Sequence, residues 1–144
     1  QSISTRFQNI NFLFILIGLF KRLSPITHFS HQEWSKLMEI NINCYWRILK
    51  ELEPIIKKSK SPKIIFLNNL KISNGKPYHN ILSVSQAAIK TIANIYQSEN
   101  KRLGIDIRVI ETPNLEEGIT SMTAGKKKIV MESFIKRILE KSFT

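Results

Sequence analysis

The side chains capable of nucleophilic, acid–base or metal chemistry are few in this chain and badly spaced for acting together. Cys44 is the single cysteine and stands beside Tyr45 and Trp46, while His28, His31 and His79 share no ligand spacing with it. A tetrahedral zinc site needs closely clustered ligands, so no metal site is expected, and the thiol reads as a packed helical residue. One cysteine also excludes an intramolecular disulfide and suits a reducing, cytoplasmic compartment. Phosphate cradles need closely spaced glycines opening a helix. The five glycines stand at 18, 75, 104, 118 and 125, with neither Gly-x-Gly-x-x-Gly nor Gly-x-x-x-Gly-x-Gly spacing.

The elements that would have to position any site are easier to read. Lys63-Ile64-Ile65-Phe66-Leu67 is a β-branched and aromatic run between Ser61-Pro62 and Asn68-Asn69, as a buried strand should be. After Ser73-Asn74-Gly75-Lys76-Pro77, the segment Asn80 to Gln97 places Ile81, Val84, Ala88, Ile92 and Ile95 on one helical stripe, which Gly104 closes. Ile105 to Ile110 supplies the next strand, completing a β-α-β unit whose strands should be parallel neighbours. Upstream, after a polar segment 1–9, Ile10 to Phe20 is the most apolar run of the chain. Eleven residues are too few for a membrane span, which needs ~20, and a buried strand over Phe12–Ile17 is expected. Ser30 with Glu33 three residues later predicts a capping box opening a helix from His31 to about Lys58, with Pro54 as a breaker near its end. Successive right-handed crossovers in one direction put helices 31–58 and 80–97 on one sheet face. Lys126 to Phe143 predicts a basic amphipathic C-terminal helix (126–144).

This order of elements, with these residues in it, resembles the short-chain dehydrogenase/reductase family. Trp34-Ser35-Lys36-Leu37-Met38-Glu39-Ile40-Asn41-Ile42 is similar to that family's Trp-x-x-x-Met-x-x-Asn-Leu signature, and Leu82-Ser83-Val84-Ser85-Gln86-Ala87-Ala88 to its Tyr-x-Ala-Ser-Lys-Ala-Ala. The resemblance implies a tetrad at Asn41, Asn69, Leu82 and Gln86, where the family carries Asn, Ser, Tyr and Lys; only Asn41 matches. Asn41 then reads as a structural residue at a helix irregularity. Tyr78 lies one helical turn before Leu82, but no Lys follows it at the needed step. Aligned through Leu23-Ser24-Pro25, Gly18 takes the Gly of the family's Asn-Asn-Ala-Gly motif and Leu16 its second Asn. Pro113 and Asn114 stand where the family has a Pro-Gly turn beside the nicotinamide. The implied fold is α/β, a partial Rossmann-like parallel sheet of about three strands with two long helices on one face and a C-terminal helix, in a single domain over 1–144.

Hydride transfer in that family uses the Tyr phenol as acid or base and the Lys to lower its pKa, help worth ~10²–10⁴ in rate. Leu82 cannot titrate and Gln86 carries no charge. The expectation is a degenerate family member, a fragment or decayed product, without oxidoreductase activity and with no cofactor. One alternative is an NAD(P)-dependent oxidoreductase portion complemented by a separate N-terminal chain; another is a small basic nucleic-acid-binding module, invited by the net charge of +11 over 144 residues. Because Glu51, Glu53, Glu132 and Glu140 intersperse the basic clusters Lys57-Lys58-Ser59-Lys60 and Lys126-Lys127-Lys128, a solvated basic surface is expected rather than a nucleic-acid patch. No membrane partner is expected. Self-association is expected through helices 31–58 and 80–97, or a partner at the open edge of strand 12–17, an apolar edge without Pro or charge.

Overall fold

The structure is a computed structural model that describes residues 3–19, 21–68, 74–111 and 136. The chain divides into two compact units, Gln1–Thr112 and Pro113–Thr144. All the elements below belong to the first; the C-terminal helix expected over 126–144 lies outside the described residues, save for Lys136.

A short helix α1 (Ile3–Arg6) leads into strand β1 (Phe12–Ile15). Helix α2 (His31–Met38), a π-helical turn (Glu39–Asn43) and helix α3 (Cys44–Ile56) follow as one helical run. Strand β2 (Lys63–Asn68), helix α4 (Asn80–Glu99) and strand β3 (Asp106–Glu111) complete the unit. The strands form a parallel sheet in the order β1-β2-β3, with Phe12 opposite Lys63 and Lys63 opposite Asp106. This is the α/β, three-stranded parallel arrangement that the sequence implies.

Register explains the core. Leu13, Ile64 and Ile107 lie side by side on one face, as do Ile15, Phe66 and Val109. Against that face pack Tyr45, Leu49, Leu52 and Ile55 of α3 and Ile89, Ala93 and Tyr96 of α4, so both long helices share it. The Tyr45 ring stacks on Phe66 at 6.0 Å between centroids. Ile65 and Leu67, alternating onto the opposite face, are equally buried, which is why β2 reads as a continuous apolar run. No helix among the described residues is long and apolar enough to cross a membrane.

Four sequence readings need correction. The first strand stops at Ile15 instead of Ile17, because the backbone beyond it bonds to helix side chains rather than to β2. The run expected to reach Lys58 is interrupted by the π turn and ends at Ile56, two residues after Pro54. On α4, the buried side runs through Ile81, Ser85, Ile89, Ala93 and Tyr96, whereas Val84 and Ile95 of the expected stripe are exposed. The small Ser85, its hydroxyl turned back on the Leu82 carbonyl at 2.9 Å, lets the helix turn this side inward. Finally, Tyr78 precedes the helix, with φ +64° and an exposed ring, and so does not share a helical face with Leu82. By contrast, the Ser30–Glu33 capping box forms as read, and Gly104 adopts φ +67° where the chain turns from α4 towards β3.

Candidate functional site

In open parallel sheets, ligands occupy the crevice outside the carboxyl ends of the strands. By that rule such a crevice would open at the carboxyl ends of β1 and β2. Pairing ends with Ile15 opposite Phe66, and the polar groups of the following residues turn to the helical run. Ile17 donates its N–H to the Tyr45 hydroxyl at 3.1 Å, and that hydroxyl donates to the Ile17 carbonyl at 2.7 Å. Two residues on, Leu19 donates to Asn41 Oδ1 at 2.6 Å, and Asn41 Nδ2 donates back to the Leu19 carbonyl at 2.9 Å. Asn41 and Tyr45 thus act as a substitute for a neighbouring strand, each supplying a donor and an acceptor. Both are buried. Burial pushes the Tyr45 hydroxyl up from its ordinary pKa, the Ile17 bond opposing this, so it stays protonated and able to donate. The π turn is centred on Asn41, placing the sequence-predicted irregularity at that residue.

The opposite wall is built from the end of β2 and the start of α4. Asn68, fully buried, donates Nδ2 to the Gln86 carbonyl at 2.8 Å, pinning the helix to the strand end. Its Oδ1 and the Ser83 Oγ are buried without hydrogen-bond partners among the described residues. Leu82 and Gln86 are half-buried, one helical turn apart. A further set of contacts is made at the start of α4. Asn80, at φ +38°, sends Nδ2 to the carbonyls of Arg22 (3.1 Å), Ser24 (3.2 Å) and Tyr78 (2.8 Å), and accepts from the Ile81 N–H. This ties the segment after β1 to the first turn of α4. Nearby, Arg22 and Lys21 both pair with Glu33, which also accepts from the Ser30 N–H, and together they hold that carboxyl well below the usual carboxylate range.

Of the positions singled out from sequence, the structure therefore brings Asn41 and Gly18 together on one wall and Leu82 and Gln86 together on the other. A Cβ on Gly18 would meet Asn41 Oδ1 at 3.9 Å, an ordinary contact, so this position does not require glycine for space. Asn69, Pro113 and Asn114 lie outside the described residues. Cys44 is half-buried and free, and no cluster of metal-ligating side chains occurs among the described residues. Sequence reasoning missed the positioning roles of Tyr45, Asn68 and Asn80. The available signals were weak: Tyr45 stands one turn after Asn41, and Asn80 opens a helix with a residue type tolerant of positive φ.

A family model described as "Enoyl-(Acyl carrier protein) reductase", of the short-chain dehydrogenase type, matches residues 1–142. The chain belongs to the short-chain dehydrogenase/reductase family. Solved structures of the family share its fold. A short chain dehydrogenase from Salmonella enterica serovar Typhi superposes with a TM-score of 0.74 at 16% identity, over 87% of this chain and 53% of that one. A putative short chain dehydrogenase from Escherichia coli CFT073, complexed with NADPH, gives 0.73 at 15% identity over 87% and 53%. An enoyl-[acyl-carrier-protein] reductase (NADH) from Aquifex aeolicus gives 0.66 at 14% identity, over 76% and 44%. The chain thus spans about half the length of these dehydrogenases. No curated protein matches it in sequence.

Proposed function

We propose that this short-chain dehydrogenase/reductase-like chain does not carry out hydride transfer. The observation that carries the reading is the pair Leu82 and Gln86, one turn apart on the wall of the crevice, where the family's Tyr and Lys would stand. A hydrocarbon cannot exchange a proton with a substrate oxygen, and an amide cannot lower a neighbour's pKa by charge. The fit to a nicotinamide dinucleotide is poor as well. Both amide atoms of Asn41 are engaged by the Leu19 backbone, and Leu16, in place of the family's second Asn, offers a half-exposed apolar side chain. No step is therefore assigned to a cofactor.

Turnover assays with NADH or NADPH over alcohols and carbonyls should give no reaction. The variant Asn69→Ser/Leu82→Tyr/Gln86→Lys should be equally silent, since this sequence contains no glycine-rich phosphate turn. Turnover by the parent chain would overturn the reading, and turnover by that variant alone would sink the claim that a glycine-rich turn is needed and missing. A second reading, an oxidoreductase portion completed by a separate N-terminal chain, is favoured by the half-length overlap with the family's structures; coexpression with such a chain restoring turnover would establish it. As its mode of association, the chain pairs with itself across α3 and α4, where Trp46, Val84 and Ile95 are exposed, or takes a partner at β1. A stable monomer by light scattering at tens of micromolar would exclude the first, and amides of Phe12–Ile17 protected from exchange in that monomer would exclude the second.

A further inference from the structure

Read along the sequence, the basic residues alternate with acids and suggest a solvated face; the fold gathers several of them at one end. All three strands are parallel, so the turns entering β2 and β3 lie side by side at the amino ends, opposite the crevice. The Asp106 N–H donates to the Pro62 carbonyl at 3.0 Å, joining these two turns. The lead-in to β1 lies alongside: Lys63 N–H reaches the Asn11 carbonyl at 2.9 Å, and Ser59 Oγ the Ile10 carbonyl at 2.7 Å.

The exposed residues Lys58 and Lys60 come from the first turn, Lys101 and Arg102 from the second. None of these four is ion-paired among the described residues. Of the acids at or near this end, Glu53 is engaged by Lys57 and Asp106 by Arg108, while Glu51 and Glu99 have no ion pair among the described residues. Favourable interaction with a helix C-terminus accounts for a cation in the last turn of a helix, but not for four around two adjacent turns. Beside the cations stand exposed apolar side chains: Leu103, 51% accessible at the tip of its turn directly after Lys101-Arg102, and Phe7, 52% accessible before β1.

We infer that this amino-end rim is a docking surface for an anionic lipid bilayer, with Lys58, Lys60, Lys101 and Arg102 at the phosphate and carboxylate headgroups and Leu103 entering the headgroup boundary. Cations without an ion pair among the described residues, beside exposed apolar groups, match both components of interfacial binding. A nucleic acid would use the cations but has no use for Leu103, and single strands need aromatic platforms, of which this rim has Phe7 among the described residues. The inference is independent of the proposed loss of hydride transfer.

The test is cosedimentation of the full chain with vesicles of phosphatidylcholine alone and of phosphatidylcholine with about one-third phosphatidylserine. Binding is expected to the anionic vesicles only, weakening as salt rises. Each cation near such a surface contributes roughly fivefold in partitioning, so Lys58→Glu/Lys101→Glu/Arg102→Glu should lower it by about a hundredfold or more. Leu103→Ala should lower it severalfold at unchanged charge. Urea midpoints near that of the parent protein verify that both variants fold. Equal binding to neutral vesicles, or a folded triple variant that partitions normally, overturns the inference. Salt-sensitive binding to duplex DNA that matches the vesicle affinity and ignores Leu103→Ala also overturns it, assigning the rim to nucleic acid instead.

Discussion

Replacing Asn41 by Ala removes a side chain whose two polar atoms both bond to the Leu19 backbone. Each such bond contributes about 0.5–1.5 kcal/mol net. Leu19 is 40% accessible, so water can take over part of its bonding, while the buried Asn41 leaves a small void. The expected loss is about 2 kcal/mol, a shift of roughly 1 M in the urea midpoint, followed by tryptophan fluorescence. Tyr45→Phe keeps the ring on Phe66 but loses the hydroxyl bonds to Ile17, and should cost about 1–2 kcal/mol. Because both side chains hold one segment, the double variant should lose less than the sum, by about 0.5 kcal/mol or more. Asn41→Asp should be worse than Ala at neutral pH, since its carboxylate would face the Leu19 carbonyl in a buried site. Burial raises that acid's folded pKa, so the deficit should shrink as pH falls and the carboxyl gains a proton to donate. Additive losses, or an Asn41→Ala cost below about 0.5 kcal/mol, would refute the substitute-strand role.

Tyr96 is buried with no partner for its hydroxyl among the described residues, so Tyr96→Phe should be neutral or slightly stabilising in urea at neutral pH. Burial, with Glu53 and Glu99 nearby, pushes its pKa up to about 12, against about 10 unfolded, so parental stability should be full below pH ~10 and fall as pH rises towards ~12, by up to about 2–3 kcal/mol, a decline that Tyr96→Phe removes. Gly104→Ala forces an alanine to φ +67° and should cost about 1–2 kcal/mol by thermal melting, Gly104→Asn less. Ser30→Ala removes the cap on the Glu33 N–H and should cost about 1 kcal/mol by urea titration.

Where a feature was local, it could be read from the sequence. The β2 run, the Ser30–Glu33 box and the Gly104 turn each follow from a few adjacent residues, and the parallel order follows from the crossover rule. The extent of β1 did not, because Phe12 to Phe20 is uniformly apolar while the strand's end is set by Asn41 and Tyr45, more than twenty residues away. The face of α4 was misread for a similar reason. Ser85 and Tyr96 score as less apolar than Val84 and Ile95, yet the sheet takes the side that packs closely, leaving two aliphatic residues outside. The resemblance singled out Asn41, Leu82 and Gln86, but the anchoring by Asn68 and Asn80 depends on long-range bonds to carbonyls that no sequence pattern marks. The basic rim escaped notice because its cations are more than forty residues apart and meet only through the pairing of β2 with β3.

The claim that the crevice has lost its dinucleotide chemistry is tested most directly by titrating the purified chain with NADH and NADPH while following the fluorescence of Trp34 and Trp46. Both indoles lie on the helical run that carries Asn41 and Tyr45, so nucleotide seated in the crevice would disturb that run. No saturable change is expected up to millimolar cofactor beyond the attenuation that cofactor absorption imposes on free tryptophan. Saturable quenching at micromolar nucleotide, competed by the oxidised form and abolished by a bulky replacement at Leu82, would contradict it.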